Sequence, residues 1–302
     1  MKNKAIQGVL LAVALVLAGC ASPPRAPAGG PPQSQTEAPA VKVPPRIGLA
    51  LGGGAARGFA HVGVIQVLEE AGIRPNLVSG TSAGSVVAAL YASGKTGPQL
   101  QQIAETMEEA TIADWTLQIF TRGALRGEAL AKYVNTQVGQ KPIEGMVIPL
   151  GIVATDLNNG NEVLFQRGDT GTAVRASSAV PAVFQPVKVG SREYVDGGLV
   201  SPVPVRAARK MGAELIIAVD ISSPPEASSA NGTLEILLQT FTIMGKSINT
   251  FELKDADVVI RPNLTGISSA DFGARRRSIE AGRQAMLAAL PQLRAAIEAK
   301  TH

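Results

Sequence analysis

Residues 77–90 have the sequence LVSGTSAGSVVAAL, in which Gly80-Thr81-Ser82-Ala83-Gly84 is a G-x-S-x-G pentapeptide. An apolar strand candidate (Leu77 and Val78) precedes it, and an apolar helix candidate (Ser85 to Ser93) follows it. In a sharp strand-to-helix turn a serine projects its hydroxyl from the sheet edge, and glycines two residues away remove Cβ atoms that would collide. The pentapeptide therefore predicts a nucleophile elbow at Ser82, flanked by Gly80 and Gly84. The alternative is a plain turn in which Ser82 caps the helix.

A second glycine-rich stretch begins at Gly52, Gly53 and Gly54, between a predicted strand and a predicted helix. Backbone amides at such a junction attract phosphate. However, a dinucleotide fingerprint needs glycine where Arg57 stands, and a P-loop needs lysine where Phe59 stands. We therefore expect no nucleotide and no cofactor. The same amides are suited to hold the oxyanion that forms when a serine attacks an ester, and a tight packing turn is the alternative.

A nucleophilic serine needs a proton acceptor, and histidine is a poor candidate in this chain. Of the two histidines, His302 is the terminal residue, and His61 lies early, on the helix after the glycine loop. A triad on an α/β-hydrolase needs its histidine late in the chain, after the serine and the acid. His61 could serve in principle, but a structural role with a hydrogen-bonded ring is the simpler interpretation.

A carboxylate is therefore the expected partner of Ser82. Asp196-Gly197-Gly198 is the best candidate, because an aspartate at a strand end with two permissive residues behind it can be held rigidly. Asp156 and Asp220 also lie near predicted strand ends and are its competitors. An aspartate in this role needs burial to raise its pKa toward working pH.

The N-terminal segment predicts export. Lys2 and Lys4 precede the apolar run Val9 to Ala18, which is too short to span about 30 Å of hydrocarbon, so residues 1–19 are interpreted as a signal peptide. Leu17-Ala18-Gly19-Cys20 resembles the bacterial lipobox, whose cysteine is lipidated. Cys20 is the only cysteine, so we expect no disulfide, no cysteine-based metal site and no metal in the folded part.

Composition divides the remaining chain into a tether and one domain. Residues 20–45, rich in proline and glycine, are predicted to be a disordered tether behind the lipidated cysteine. Residues 46–302 alternate strand and helix patterns, which is typical of a single α/β domain. Removing residues 1–19 takes away two lysines and no acid, lowering the formal charge from +4 to +2. Without a clustered basic face, we expect no nucleic-acid partner.

One long segment is amphipathic. Large apolar residues recur at steps of three and four, which gives one continuous stripe on a helix. Core packing is the simplest interpretation, and a dimer or membrane face is the alternative. The stripe comprises Leu234, Leu237, Phe241, Met244, Ile248 and Phe251.

Taken in order, the glycine loop, the pentapeptide and Asp196-Gly197-Gly198 resemble the bacterial members of the patatin-like phospholipase family. The resemblance runs from about Arg46 to Leu199. It implies a three-layer α/β/α fold with a mainly parallel central sheet. It also implies a serine-aspartate dyad, with Ser82 as nucleophile and Asp196 as base.

The same resemblance assigns the oxyanion loop to Gly52, Gly53, Gly54 and Arg57. Many members space this loop as G-G-G-x-[RK]-G, whereas a second alanine lengthens it by one residue here. Which amides donate is therefore open.

The resemblance and the lipobox together predict a membrane-tethered acyl hydrolase of phospholipase A, lysophospholipase or esterase type. Its partners would be a lipid or other acyl ester and, through Cys20, the membrane. Ala21 after the cysteine favours the periplasmic face of the outer membrane, given a Gram-negative bacterium. The rivals are a non-catalytic envelope binding or assembly lipoprotein on a hydrolase fold, and a thioesterase or small-ester hydrolase.

Overall fold

The computed structural model describes residues 42–107, 125–222 and 232–302. The predicted signal peptide, Cys20 and residues 20–41 of the predicted tether lie outside these ranges. No helix within them has both the length and the apolar character needed to cross a membrane.

The described chain contains eight strands and eight α-helices. The strands are β1 Ile47–Leu51, β2 Leu77–Thr81, β3 Leu150–Asp156, β4 Glu162–Phe165, β5 Val187–Val189, β6 Arg192–Asp196, β7 Leu215–Val219 and β8 Val258–Ile260. The helices are α1 Ala60–Glu70, α2 Ala83–Ala92, α3 Gly97–Thr106, α4 Glu128–Gln137, α5 Thr170–Ser177, α6 Val205–Lys210, α7 Thr233–Glu252 and α8 Arg275–Ala299.

All of the described strands form one mixed sheet. Its order is β5-β6-β3-β2-β1-β7-β8, with β4 paired to β3. The strands β3, β2, β1, β7 and β8 run parallel. The strands β4, β5 and β6 pair in the antiparallel sense on the β3 side. The prediction of a mainly parallel central sheet is confirmed.

Alternate residues of the central strands enter two separate cores. Leu49 and Leu51 of β1 face the larger core, whereas Ala50 faces the smaller one. Because successive side chains of a strand point to opposite faces, both faces of the sheet must be covered. Helices α1 to α5 and α8 cover the larger face, and α6 with the turn after α7 covers the smaller one. The result is the predicted three-layer α/β/α architecture.

The amphipathic segment is a helix, α7, but the prediction that its apolar stripe is core was wrong. Only Asn249 and Glu252 of this helix are buried. Leu234, Met244 and Phe251 are 47%, 46% and 62% exposed. Periodicity shows that one face of a helix is apolar, but it carries no information about what covers that face.

Candidate active site

Strand register brings the predicted nucleophile and the predicted base together. On β3, Val153 pairs with Thr81 of β2, and the next residue, Ala154, pairs with Asp196 of β6. Ser82 directly follows Thr81, so the last residue of β6 lies beside the turn that follows β2. Two segments separated by more than a hundred residues thus meet because both pair with one strand.

Ser82 and Asp196 are in direct hydrogen-bond contact. Ser82 Oγ donates to Asp196 Oδ2 at 2.7 Å, and the Gly198 amide donates to Oδ1 at 2.7 Å. Asp196 is only 7% exposed. Burial raises the pKa of this carboxyl to about 6, against the opposing effect of the hydrogen bonds from Ser82 and Gly198. A carboxylate in this state can accept a proton near neutral pH.

The turn at Ser82 has the strained backbone of a nucleophile elbow. Ser82 has φ 53°, a region that side-chain-bearing residues rarely occupy. A Cβ on Gly80 would lie 2.6 Å from the Gly84 carbonyl oxygen, and a Cβ on Gly84 would collide with the carbonyl of Leu51. Both glycines are required because backbone atoms approach them closely.

The buried Ser177 holds the elbow in place from α5. Ser177 Oγ accepts the Ser82 amide at 2.9 Å and donates to the Val153 carbonyl at 2.5 Å. The base has a similar support, because Thr155 Oγ1 donates to the Asp196 carbonyl at 2.8 Å. The serine and the aspartate are therefore fixed by hydrogen bonds to their own backbones.

The glycine loop lies against Ser82, but only some of its amides are available. A Cβ on Gly53 would lie 3.1 Å from Ser82 Cβ. The amide of Gly52 donates to Val219, that of Gly53 to Pro202 and that of Arg57 to Gly54. In the described part of the chain no acceptor contacts the amides of Gly54 and Ala55, and both residues line the cleft beside Ser82.

This pattern distinguishes the loop amides that have acceptors from those that do not. The loop residues Gly52, Gly53 and Arg57 have amides that maintain its shape, and the Arg57 side chain donates to the Ile267 carbonyl at 2.8 Å. Of the four residues at 52–55, Gly54 and Ala55 are the two whose amides have no acceptor among the described residues. Ala55, one of the two alanines that make the loop a residue longer, has φ 49°, a backbone conformation that side-chain-bearing residues rarely adopt.

His61 supports the glycine loop. It is fully buried, and its Nε2 lies 2.8 Å from the Gly52 carbonyl oxygen. Because a carbonyl only accepts, Nε2 carries the hydrogen, while Nδ1 is buried without a hydrogen-bond partner in the described structure. Burial lowers the pKa of His61 to about 4 despite the Gly52 contact. His61 therefore has a structural contact in the glycine loop, although only one of its two ring nitrogens is hydrogen-bonded.

The competing aspartates have other partners. Asp156 accepts from the Asn158 amide at 2.9 Å and pairs with Arg192. Asp220 accepts from the Ser222 hydroxyl at 2.6 Å and lies 3.5 Å from Arg261. Neither of them contacts the Ser82 hydroxyl, which donates to Asp196.

A cleft of about 260 Å³ opens over these groups. Its floor contains Ser82 and Asp196, and one wall is formed by Leu238, Phe241 and Gly245 of α7. The helix α7 thus gives the cleft apolar side chains as well as the polar Thr242 and Lys246, and the apolar part is what a site for an acyl ester requires.

Sequence reasoning missed the supporting residues. Ser177 and Thr155 act only through contacts between distant elements, and no local pattern marks them. The α7 wall was visible as an apolar stripe, but its position beside Ser82 depends on tertiary structure. The extra residue in the glycine loop was the only sequence feature that drew attention to Ala55, whose amide has no acceptor in the described structure.

This chain is similar in sequence to several known proteins. A family model described as patatin-like phospholipase matches residues 49–209. An uncharacterized NTE family protein of Mycobacterium bovis is 39% identical over 198 residues, which are 64% of this chain and 55% of that protein. Patatin-like phospholipase domain-containing protein 6 of Mus musculus is 31% identical over 231 residues, which are 74% of this chain and 16% of that protein.

A solved structure shares the fold. VipD from Legionella pneumophila superposes with a TM-score of 0.53 at 14% identity, over 83% of this chain and 67% of that one. At this identity the likeness concerns architecture alone. The aligned region spans about half the length of the mycobacterial relative.

Proposed function

The chain belongs to the patatin-like phospholipase family, and from this premise we propose that it is a serine hydrolase that cleaves acyl ester bonds of lipids with a Ser82–Asp196 dyad. The observation that carries the proposal is the 2.7 Å hydrogen bond from Ser82 Oγ to a buried carboxylate. A binding module has no need of a strained serine, a carboxylate with a raised pKa and two free amides in one cleft.

In the acylation step Ser82 Oγ attacks the carbonyl carbon of the ester. Asp196 Oδ2 takes the hydroxyl proton as the new C–O bond forms. The carbonyl oxygen gains the negative charge and accepts hydrogen bonds from the Gly54 and Ala55 amides, each worth about 10² to 10³ in rate when well placed. The leaving alcohol then takes the proton from Asp196, and an acyl-serine is left.

Deacylation repeats these roles with water as the nucleophile. Asp196, ionised again, removes a proton from water, which attacks the acyl carbon. Collapse of the second oxyanion breaks the bond to Ser82 Oγ. That oxygen recovers its proton from Asp196, and the carboxylic acid leaves. The starting hydrogen bond between Ser82 and Asp196 is thereby restored.

The apolar wall of the cleft supports a lipid substrate. Leu238 and Phe241 line the cleft, and Leu238 is 36% exposed. Further along α7, Ile243 and Phe251 are 53% and 62% exposed. Apolar surface next to a catalytic serine favours acyl chains over small polar esters.

The decisive test is hydrolysis of p-nitrophenyl butyrate by the purified chain. We expect Ser82→Ala to lower kcat by at least about 10⁴-fold and Asp196→Asn by about 10³-fold, because each removes a group from the reacting pair. Ser247→Ala, an exposed serine of α7, is the matched control and should retain wild-type turnover. Unchanged turnover in Ser82→Ala would contradict the proposal.

We also propose that lipidated Cys20 tethers the enzyme to the envelope, on the periplasmic face of the outer membrane. The lipobox at Leu17-Ala18-Gly19-Cys20 supports this proposal. In cell fractionation, the wild-type chain should sediment with outer membranes and Cys20→Ser should not. Equal sedimentation of the two would contradict the tether.

A further inference from the structure

A second pocket adjoins the candidate active site and has a different chemistry. Its volume is about 510 Å³, and it shares Ser222 and Lys246 with the catalytic cleft. We name it the basic pocket and define it by Asp220, Ser222, Lys246, Asn249, Lys254 and Arg261. Three of these residues are cations and one is an anion. The basic pocket therefore has an excess of positive charge.

Its position follows from the sheet. Asp220 follows β7 and Arg261 follows β8, at the carboxyl edge where Ser82 follows β2. In open parallel sheets this edge is where ligands bind. Both pockets lie along α7, since Leu238 and Phe241 line the catalytic cleft, Asn249 lines the basic pocket and Lys246 lines both.

The cations of the basic pocket are largely uncommitted. Neither Lys246 nor Lys254 makes an ion pair with a residue in the described ranges. Lys254 lies 5.3 Å from the Phe251 ring, a contact that leaves its ammonium group able to donate. Arg261 lies 3.5 Å from Asp220, whose other oxygen accepts from Ser222. The one anion in the pocket is thus already hydrogen-bonded.

Asn249 supplies the second observation. It is 4% exposed, yet neither its Nδ2 nor its Oδ1 has a hydrogen-bond partner in the described structure. A buried amide without partners costs about 1–3 kcal/mol, so a ligand group that reached it from the basic pocket would recover that free energy. A phosphate oxygen would accept from Nδ2, and a neighbouring hydroxyl of the ligand would donate to Oδ1.

We propose that the basic pocket binds a phosphate group through Lys246, Asn249, Lys254 and Arg261. Lysine and arginine make strong charge-assisted hydrogen bonds to phosphate. The phosphate is carried by the headgroup of the lipid whose ester enters the adjoining cleft, or by a free phosphate monoester. The headgroup source rests on the proposed function, whereas the phosphate site itself does not.

The test compares substrates with and without a phosphate-bearing headgroup. Dioleoyl phosphatidylglycerol and dioleoylglycerol are presented in the same mixed micelles, and p-nitrophenyl butyrate reports the catalytic site. Lys254→Gln/Arg261→Gln should lower kcat/KM for the phospholipid about tenfold, through KM. Hydrolysis of the diacylglycerol and of the short ester should change by less than about twofold. Lys132→Gln, an exposed lysine of α4, is the control.

A second arm measures binding without turnover. Inorganic phosphate and glycerol 3-phosphate should raise the Tm of the wild-type chain and of Ser82→Ala, but not of the double variant. Asn249→Leu should also lose this shift while its Tm without ligand stays the same or rises, because the substitution removes an unpartnered buried amide. A purely structural Asn249 would instead lower that Tm.

The two arms separate the sources. Loss of both phospholipid preference and phosphate-induced shift assigns the site to the lipid headgroup, and loss of the shift alone assigns it to a free phosphate. Wild-type behaviour of all of these variants in both arms would overturn the proposal. If ester hydrolysis survives Ser82→Ala, the proposed function fails, and the binding arm still decides the pocket.

Discussion

Two helices border the candidate active site, and they are packed in opposite ways. Most of α2, which follows Ser82, is buried, and Gly84 at its start contacts the carbonyls of Leu51 and Gly52. By contrast, α7 lines the same cleft with only Asn249 and Glu252 buried. The helix that follows the proposed nucleophile is fixed by close backbone contacts, whereas the helix that borders the cleft leaves apolar surface in solvent. The chemistry needs precise geometry, and entry of a lipid needs accessible apolar surface.

The largest expected difference between the helices comes from one substitution made in both. Gly84→Ala should lower the free energy of unfolding by at least about 3 kcal/mol, because the new methyl group meets backbone that no rotamer change can move. Gly245→Ala on α7 should raise it by up to about 1 kcal/mol, because its Cβ would lie 3.6 Å from Pro202, an ordinary contact. Urea unfolding measures both. If the two substitutions changed the free energy of unfolding equally, the two helices would not differ in packing.

The next prediction concerns the buried base beside α2. The pKa of Asp196 is raised from 3.8 to about 6 by burial, so the folded chain binds this proton more tightly than the unfolded chain. The contribution of this group to stability therefore falls as pH rises from about 4 to about 6, and the full cost, about 3 kcal/mol, is present above that range. Asp196→Asn should stabilise the chain by up to this amount at pH of about 8 and hardly at all at pH of about 4.

Activity should follow the opposite course. Because the base must be ionised, kcat/KM of the wild type should fall about tenfold per pH unit below about pH 6. The residual activity of Asp196→Asn should not show this fall below about pH 6. A wild-type profile that is flat between about pH 4 and 8, with stability equally flat, would show that Asp196 does not titrate as the geometry requires.

A smaller effect is expected from the support of the elbow. Ser177→Ala leaves the Ser82 amide without its 2.9 Å partner, so the chain should lose about 1–3 kcal/mol of stability and about tenfold in kcat. Ser93→Ala is the matched control, since Ser93 Oγ donates only to Leu90, within the last turn of α2. Chemical denaturation and ester hydrolysis should show a loss in the first variant and none in the control.

The smallest effect is expected on the outer side of α7. Ile243 is 53% exposed, so Ile243→Ser should change the free energy of unfolding by no more than about 0.5 kcal/mol. The measurement is made at two protein concentrations. A loss above about 1 kcal/mol that grows with concentration would show that a second copy covers this face, and the two helices would then be packed alike.

Much of the fold could be predicted from the sequence because its signals are local. The strand-turn-helix around Ser82, the glycines at 80 and 84, and the alternating strand patterns each depend on neighbours along the chain. The larger errors lie where an element's neighbours are distant. The stripe on α7 was assigned to the core because helical periodicity is the same for a helix packed inside and for one that faces solvent.

The candidate site shows the same difference between local signals and contacts between distant elements. By itself the sequence predicted a serine nucleophile, a carboxylate partner in place of histidine, and a glycine loop to receive the oxyanion, because residue types and their spacing limit the chemistry. The sequence also ranked Asp196 above Asp156 and Asp220, and the tertiary structure supplied its contact with Ser82, since that contact depends on β6 pairing with β3 next to the position where Thr81 of β2 pairs. The tertiary structure also identified Gly54 and Ala55 as the free amides, because an amide is available only when no distant carbonyl accepts it.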